Sequence, residues 1–423
     1  MHEKIILPNG VRLLIEPIPH VHSAAVGIWV GNGSRHEPPQ QQGISHFIEH
    51  MVFKGTAKRT ALEQAGEMDL LGGQFNAYTA KEQTCYYTRV LDSHLPLALD
   101  LLFDLFYDPL FHSADVATER NVILEEIGMY EDTPEDLCIE RLFASVYPGN
   151  ALGRPILGRP STLARITGAK LRQFRDAQYL PEETVVSMVG RFQDRDVETL
   201  MAQCARMEGS GRLSVAPADY QPCVTIRRKE IEQNHLCMAF PALPYDHPKR
   251  FVLHLLSAIL GGGMSSRIFQ EIREQMGLCY NIYTFGVTHA DTGLLCLYAA
   301  LSPETESRAI SAICALIDRL LQDGVTEEEL HRVREQTKSS IFLGMESVTA
   351  RMNHLARSEL FLGRVMSESE ILAAYDAVTC DEIAALARHI LNFQQISLSV
   401  VGQVRSKAHY QSLLRPFVQQ AGI

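Results

Sequence analysis

The sequence lacks the usual marks of a secreted, membrane-spanning or nucleic-acid-binding protein. No Cys-x-x-Cys pair occurs among the nine scattered cysteines, and most of them lie in apolar runs, where cysteine behaves as a small hydrophobic residue. This pattern is typical of a reducing compartment, and the N-terminal stretch shows neither a signal-peptide layout nor a transit segment rich in arginine and serine. No apolar run is long enough to span a bilayer. We therefore expect a cytoplasmic protein without a membrane span.

Basic residues are outnumbered as well. The chain has 50 acidic and 39 basic residues, and its net charge of -11 disfavours nucleic acid as the main partner. An acidic surface or chamber would suit basic peptides, although the same charge could simply keep the surface solvated, and the composition leaves both interpretations open. With 423 residues, 46% of them hydrophobic, the chain can bury more than one core, so two or more domains are expected.

The order of predicted elements in the first half recurs in the second. Apolar alternation and helical periodicity, respectively, predict strands and helices. In the first half the predicted strands are 11–16, 24–30, 74–79 and 84–90, and the predicted helices are 43–53, 93–107 and 113–130. In the second half the predicted helices are 250–260, 303–322 and 326–343, and the predicted strands are 278–286 and 293–300. A Gly- and Pro-rich segment at 209–218 resembles a linker, so we predict two α+β domains, residues 1–212 and 213–423, related by duplication.

The clearest chemical signal is the pentapeptide His46-Phe-Ile-Glu-His50. Histidines four residues apart lie on one face of a helix and can direct two imidazole nitrogens at one metal ion. Glu49 shares that face, where a carboxylate can accept a proton from water and pass it to a leaving amine. The order is the reverse of the commoner H-E-x-x-H zinc motif. Alone the pentapeptide is only suggestive, because ordinary histidines on a partly exposed helix would produce the same pattern.

A catalytic zinc ion takes three protein ligands and keeps one position open, so a further ligand should come from another element. The predicted helix 113–130 offers Glu119, Glu125 and Glu126. Glu119 and Glu126 are seven residues apart and share a face, whereas Glu125 lies about 100° around the helix and is interpreted as solvated. We therefore predict Glu126 as the third ligand. Glu119 would hold a histidine or a water network behind it, or else be a surface carboxylate.

Longer stretches of the sequence resemble a known family. The matching stretches are residues 46–56, 72–79, 119–127 and 152–158. They are similar to the pitrilysin/insulinase clan of inverted-motif zinc peptidases, and most of all to its short-chain branch, which holds the mitochondrial processing peptidase β subunit and bacterial processing peptidases. Asn150 departs from the pattern, since many relatives carry histidine there, but it is none of the predicted ligands. The resemblance runs through the whole chain.

The resemblance implies a duplicated α+β metallopeptidase of the LuxS/processing-peptidase-like type with one Zn²⁺ per chain. It implies that His46, His50 and Glu126 bind this zinc ion. It also implies that Glu49 is the general base and that Glu119 supports the site.

For substrate binding, the resemblance implies that the strand around Phe75, Asn76 and Ala77 pairs with an extended peptide by strand addition. Asn76 could instead be an ordinary polar residue at a strand end. In the second half, which has no H-x-x-E-H, the resemblance places a substrate-binding arginine at Arg273 and a tyrosine at Tyr280. Such groups suit a substrate carbonyl or carboxylate and a tetrahedral oxyanion, although Tyr280 could also be an ordinary strand tyrosine.

The resemblance also implies that two chains pair and enclose a chamber, either as a homodimer or as a heterodimer with an inactive paralogue. The chamber would admit unfolded or extended peptides. A rival interpretation is a non-catalytic peptide-binding or scaffold subunit. Such relatives have usually lost a motif residue, whereas this chain keeps the complete set. Zinc content and chelator-sensitive peptide hydrolysis would separate the two.

Overall fold

A computed structural model describes residues 2–420 of the chain. In the first half the strands are β1 (Glu3–Ile6), β2 (Arg12–Pro17), β3 (Ser23–Val30), β4 (Gln74–Thr79), β5 (Thr84–Leu91) and β6 (Thr184–Gly190). The helices of that half are α1 (Ile44–Met51), α2 (Ala61–Leu71), α3 (Leu95–Tyr107), α4 (Ser113–Asp132), α5 (Pro134–Val146), α6 (Pro160–Leu163), α7 (Gly168–Gln178) and α8 (Asp194–Ala205).

The second half begins after an irregular segment at residues 207–223. Its strands are β7 (Val224–Arg228), β8 (Asn234–Ala242), β9 (Cys279–Thr288), β10 (Gly293–Leu301) and β11 (Ser397–Gly402). Its helices are α9 (Arg250–Gly261), α10 (Glu306–Asp323), α11 (Glu327–Met345), α12 (Val348–Leu362), α13 (Glu368–Asp376), α14 (Cys380–Ile390) and α15 (Lys407–Gln420), together with a π-helical segment, Phe269–Gln275. Short 3-10 turns lie at Ser34–His36, Pro39–Gln41, Asp92–His94, Ala151–Gly153, Pro181–Glu183 and Phe393–Gln395.

The two sheets have the same topology. The first runs β1-β2-β6-β3-β5-β4 and the second β7-β11-β8-β10-β9, so they match strand for strand once β1 is set aside. In each sheet one pair is parallel, β2 with β6 and β7 with β11, and the other pairs are antiparallel. The predicted duplication of an α+β unit is therefore confirmed. The strands β4 and β9 occupy equivalent sheet edges, which leaves one side of each strand unpaired within its sheet.

The chain divides into two compact units, and neither is a continuous half of the sequence. Unit 1 holds the residues up to Gly128, together with residues 154–216 and 342–365. Unit 2 holds residues 129–153 and 217–341 and the residues from Met366 onward. The main division, between Ala216 and Pro217, lies near the predicted boundary at residues 212 and 213, but each unit also takes in one segment from the other half. The roles predicted for the two domains stay predictions.

Each exchanged segment covers one face of a sheet. In unit 1, Val348, Met352, Leu355 and Ala356 of α12 pack on a face that includes Trp29. In unit 2, side chains of α5 pack on a face that includes Cys237 and Cys296. Helices cover both faces of each sheet, and this explains why β6 and β10 are buried along their whole length.

The nine cysteines, all within the described residues, are free thiols; six of them lie in the buried cores and the other three pack against these cores. Among the helices at residues 2–420, none combines the length and the apolar character that crossing a bilayer requires.

Candidate metal centre

Helix α1 carries three of the predicted site residues, and its start is tightly held. Gly43 precedes the helix with φ +87, and a Cβ there would meet the Leu157 carbonyl oxygen at 2.6 Å, so only glycine fits. The buried Glu37 carboxylate accepts hydrogen bonds from the backbone N–H of Gly43 at 2.7 Å and of Ser45 at 2.9 Å. Arg154 Nη1 donates to the Glu37 carbonyl at 3.0 Å. The Glu37 carboxylate thus accepts from the backbone N–H groups at the start of α1, because the N-cap residue Gly43 has no side chain to do so.

The three predicted metal ligands converge. His46 Nε2 lies 3.6 Å and His50 Nε2 lies 3.5 Å from Glu126 Oε2. The two imidazole rings are 4.6 Å apart at an interplanar angle of 62°. One donor atom from each of the three residues lies within 4.8 Å of the others, and no second such His/Cys/Asp/Glu group occurs within residues 2–420. Helices α1 and α4, 76 residues apart at His50 and Glu126, therefore meet at this cluster.

The donors fit a zinc ion. Zinc bonds to imidazole nitrogen and carboxylate oxygen are about 2.0–2.2 Å long, which puts tetrahedral ligand atoms roughly 3.4 Å apart. The two nitrogen–oxygen separations of 3.5 and 3.6 Å lie close to that value. Two imidazoles and one carboxylate leave a fourth position for substrate or water, as in catalytic zinc sites.

The electrostatics of the cluster also favour cation binding. Burial, with a smaller contribution from His50, lowers the pKa of His46 to about 4, which keeps its ring neutral and its lone pair free. Burial alone would lower the pKa of His50, but hydrogen bonds to Glu126 and Glu119 outweigh it and raise the pKa. The hydrogen bond from His50 lowers the pKa of Glu126, so this carboxylate is ionised near neutral pH.

Glu119 lies behind His50. Its Oε2 is 3.1 Å from His50 Nδ1, and its Oε1 is 2.6 Å from the Lys54 ammonium nitrogen. The Glu119 residue is only 4% exposed, so it is not the surface carboxylate of the alternative interpretation. A carboxylate bonded to Nδ1 sets the tautomer in which Nε2 carries the lone pair. By contrast, the buried Nδ1 of His46 has no hydrogen-bond partner among the described residues.

Glu49 lies on the same helix and bonds to strand β4. The Thr79 hydroxyl donates to Glu49 Oε2 at 2.6 Å. Burial raises the pKa of Glu49, and the hydrogen bond from Thr79 acts in the opposite direction. A carboxylate with a raised pKa that lies beside a metal position is suited to accepting and releasing a proton.

Phe75, Asn76 and Ala77 lie on β4, the edge strand of the first sheet. Phe75 pairs with Thr88, Asn76 with Tyr87 and Ala77 with Tyr86. Asn76 is exposed, and its side-chain oxygen accepts a hydrogen bond from the Ala77 N–H at 2.8 Å. Their part in substrate binding stays a prediction.

Arg273 and Tyr280 belong to unit 2 and lie together there. Arg273 is in the π-helical segment, and its guanidinium carbon lies 4.4 Å from the centroid of the Phe269 ring and 4.8 Å from that of Tyr280. Tyr280 is the second residue of the edge strand β9 and is 79% exposed, so it is not a half-buried strand tyrosine. Stacking under Arg273 orients the exposed phenol. A catalytic part for either residue stays a prediction.

Sequence reasoning missed three residues that contact this site or its helix: Glu37, Lys54 and Thr79. Lys54 and Thr79 fall inside the family-like stretches 46–56 and 72–79, which was the available signal. Their partners are 65 and 30 residues away along the chain, and no local pattern reveals such contacts.

Two family models match the chain. The family described as insulinase (peptidase family M16) matches residues 12–160, and the one described as peptidase M16 inactive domain matches residues 165–337. The first match contains all of the predicted metal ligands. The second lies in the part of the chain that has no H-x-x-E-H.

Similar proteins carry zinc protease names. The uncharacterized zinc protease YmxG of Bacillus subtilis is 39% identical over 92% of this chain and 96% of its own length. An uncharacterized zinc protease of Streptomyces coelicolor is 39% identical over 95% of this chain and 89% of its own. An uncharacterized zinc protease of Rickettsia felis is 34% identical over 93% of this chain and 96% of its own length.

Two solved structures share the fold. A Pseudomonas fluorescens structure, titled as a peptidase M16 inactive domain, superposes with a TM-score of 0.90 at 19% identity, covering 96% of this chain and 99% of that one. A Helicobacter pylori protease superposes with a TM-score of 0.87 at 19% identity, covering 95% and 99%. At this level of identity the likeness bears on the fold alone.

Proposed function

The chain belongs to the insulinase family of metalloproteases, peptidase family M16, and from that membership we propose that it is a zinc-dependent endopeptidase acting on unfolded or extended peptides. The observation that carries the proposal is the convergence of His46, His50 and Glu126 within 4.8 Å, with Glu49 on the same helix as the two histidines. A metal site with only a structural role would not need the partly buried Glu49 carboxylate beside the metal position. A hydrolase needs one as its base.

The chemistry follows from these side chains. His46, His50 and Glu126 would hold the zinc ion, which when bound activates water and polarises a scissile carbonyl. Glu49 accepts the proton of the attacking water and then donates it to the leaving amine nitrogen, so that an amine rather than an amide anion departs. Glu119 keeps the His50 ring in one tautomer and one orientation through the 3.1 Å contact at Nδ1.

The substrate would bind as an added strand along β4. The edge position of β4 supports this proposal, because backbone donors and acceptors on its outer side have no partner strand in the sheet. Main-chain bonds at Phe75, Asn76 and Ala77 would hold many sequences, provided that the peptide is extended. We propose further that two chains pair as a homodimer, or as a heterodimer with an inactive paralogue, around a peptide chamber, by analogy with the processing-peptidase-like relatives of this family.

Substitutions at the metal centre test the proposal. Glu49→Gln should keep one zinc per chain and lose hydrolysis by roughly 100- to 10,000-fold, because glutamine has the shape of glutamate but cannot take the proton. His50→Ala and Glu126→Ala should lose zinc. Glu125→Ala is the matched control, because Glu125 is exposed and lies next to Glu126 on α4. It should change neither the zinc content nor the rate of hydrolysis.

Zinc stoichiometry and the cleavage of an unstructured, fluorescence-quenched peptide are the two measurements. An active Glu49→Gln protein, or a zinc-replete His50→Ala protein, contradicts the assignment. A zinc-replete wild-type protein that binds peptides and cleaves none would support the scaffold interpretation instead.

Tyr280 and Arg273 are proposed to complete the substrate site from the second unit. Tyr280→Phe should lower kcat by about a hundred- to a thousandfold with zinc fully bound, because one donor to the developing oxyanion is lost. Arg273→Ala should raise KM as well, since a cation that anchors substrate acts in the ground state and the transition state alike. Wild-type kinetics for both variants would make unit 2 merely structural.

A further inference from the structure

The Glu49 carboxylate is held by Thr79, a residue of β4, which is the strand proposed to bind the peptide. Thr79 Oγ1 donates to Glu49 Oε2 at 2.6 Å, and no other residue within 2–420 donates a hydrogen bond to this carboxylate. The hydroxyl donates its one proton to Oε2, and the backbone N–H of the same threonine also interacts with the Glu49 carboxylate. A glutamate side chain otherwise has three rotatable bonds and considerable rotamer entropy.

Thr79 is also part of β4. It is the last residue of that strand and pairs with Thr84 of β5, while Phe75, Asn76 and Ala77 lie two to four residues before it. A strand moves as a unit over such a short distance, because its ladder bonds to β5 are shared along its length. The position of β4 and the position of the Glu49 carboxylate are therefore linked through Thr79.

The equivalent contact in unit 2 shows what a purely structural bridge looks like. There, Thr284 of the edge strand β9 donates to the Ser257 backbone carbonyl of α9 at 2.7 Å. Thr284 Oγ1 also accepts a hydrogen bond from Ser257 Oγ at 3.2 Å, so only uncharged groups join this helix and strand, in a unit that has no H-x-x-E-H. In unit 1 the Thr79 hydroxyl bonds instead to the Glu49 carboxylate, the side chain of the proposed acid–base residue. A contact that only joined the helix to the strand would not need this residue.

We propose that Thr79 is a positioning residue that fixes the Glu49 carboxylate through Oε2 and links the geometry of the base to the strand on which the peptide binds. The inference rests on the proposed peptidase function. It assigns to Thr79 an effect on kcat that is exerted through Glu49 and leaves metal binding untouched.

Two variants separate the hydroxyl from the shape of the side chain. Thr79→Val keeps the branched shape that suits a strand and removes the donor, and it should lower kcat by about 10- to 100-fold, the range in which small misplacement of a catalytic group acts. KM and zinc content should stay at wild-type values. Thr79→Ser keeps the hydroxyl and should recover most of the rate.

Thr88→Val is the matched control. Thr88 lies on the neighbouring strand β5 and is fully buried, and its hydroxyl has no hydrogen-bond partner among residues 2–420. Removing that hydroxyl should leave kcat unchanged. The quenched unstructured peptide is the substrate for all variants, and fluorescence of Trp29, the single tryptophan, reports whether unit 1 is folded.

The double variant Glu49→Gln/Thr79→Val distinguishes action through Glu49 from a general effect. If Thr79 acts through the base, its loss should lower the residual rate of Glu49→Gln no further. A Thr79→Val protein with wild-type kcat overturns the inference, as does an equal loss in Thr79→Ser or a loss of zinc. If Glu49→Gln itself keeps wild-type activity, the proposed function fails, and that result is distinct from a failure at Thr79.

Discussion

At the scale of single residues, Lys54 shows how the site extends beyond its ligands. Its ammonium group lies 2.6 Å from Glu119 Oε1, and the other oxygen of that buried carboxylate faces His50 Nδ1. Removing the cation leaves a buried negative charge without its partner, and such a group moves or takes up a proton. The orientation of the His50 ring therefore depends on a lysine that does not touch the metal position.

Lys54→Met should lower zinc affinity by about 10- to 100-fold, the usual effect of losing a group that orients a metal ligand. Competition with a chromophoric chelator measures it. Lys58→Met is the control, because Lys58 is more exposed and pairs with the surface residue Asp100. Equal affinities for the two variants would mean that Glu119 holds its position without Lys54.

The residues of the His46, His50 and Glu126 cluster could be proposed from sequence because much of their spacing is local. His46, Glu49 and His50 lie within five residues, and Glu119 and Glu126 lie within two helical turns. The neighbours Lys54 and Thr79 could not be predicted in the same way, because they reach their partners only after the chain has folded. The same holds for the contact of the Tyr280 ring with Arg273.

At the scale of elements, the start of α1 depends on the carboxylate of Glu37, whose ionised form is disfavoured by burial. Burial raises the pKa of Glu37 to about 7, against hydrogen bonds from Ser45 and Gly43 that favour the ionised form. The folded state therefore holds the Glu37 proton over a pH range in which the unfolded chain has released it. Its contribution to stability is present below about pH 4.5 and is lost as the pH rises towards 7 and beyond.

Relative to Glu37→Gln, the wild-type protein should lose stability on the order of 2–3 kcal/mol between pH 5 and pH 8. Denaturant unfolding followed by Trp29 fluorescence measures this for unit 1. Glu63→Gln is the control: Glu63 caps α2 at the surface, and its hydrogen bonds with Thr60 lower its pKa, so its titration falls below this range. Parallel pH profiles for wild type and Glu37→Gln would contradict the burial of an ionisable Glu37.

Elements with a strong local pattern were predicted well. The strand predicted at 74–79 has the bounds of β4, and the helix predicted at 113–130 is α4 at Ser113–Asp132. Elements that were not predicted are the helices α2, α5, α6, α7, α8, α12, α13, α14 and α15 and the strands β1, β6, β7, β8 and β11. Most of α2 is exposed and lacks a wide apolar stripe, while α5 and α12 bury their apolar sides against sheets formed by the other half of the sequence. Local periodicity does not reveal which sheet a helix will pack against.

At the scale of the whole molecule, the exchanged helices decide which pieces of the chain can fold alone. Residues 1–212 lack α12, which covers Trp29 and its neighbours on one face of the first sheet. They also lack Glu359, whose carboxylate pairs with Lys4 at 2.8 Å and with Arg12 at 3.5 Å. A fragment cut at the predicted domain boundary therefore exposes one full face of a sheet.

The fragment 1–212 should show solvent-exposed Trp29 fluorescence, bind hydrophobic dyes and aggregate, because a large apolar face is left uncovered. A synthetic peptide of residues 342–365 should restore the blue-shifted emission of a buried tryptophan. A peptide with Met352→Asp should not, since it would bury a charge. Native-like Trp29 emission from the fragment alone would show that α12 is dispensable.

The reciprocal exchange of α5 and α12 also bears on the history of the chain. Both helices occupy the same place in the order of elements of their own half, following α4 and α11, and each covers the sheet of the opposite half. Two identical subunits that trade one helix make a domain-swapped dimer with two-fold symmetry. Joining the end of one such subunit to the start of the other would produce this chain. Once fused, the copies no longer needed to stay alike, and one could lose H-x-x-E-H while its helix went on covering the sheet of the other.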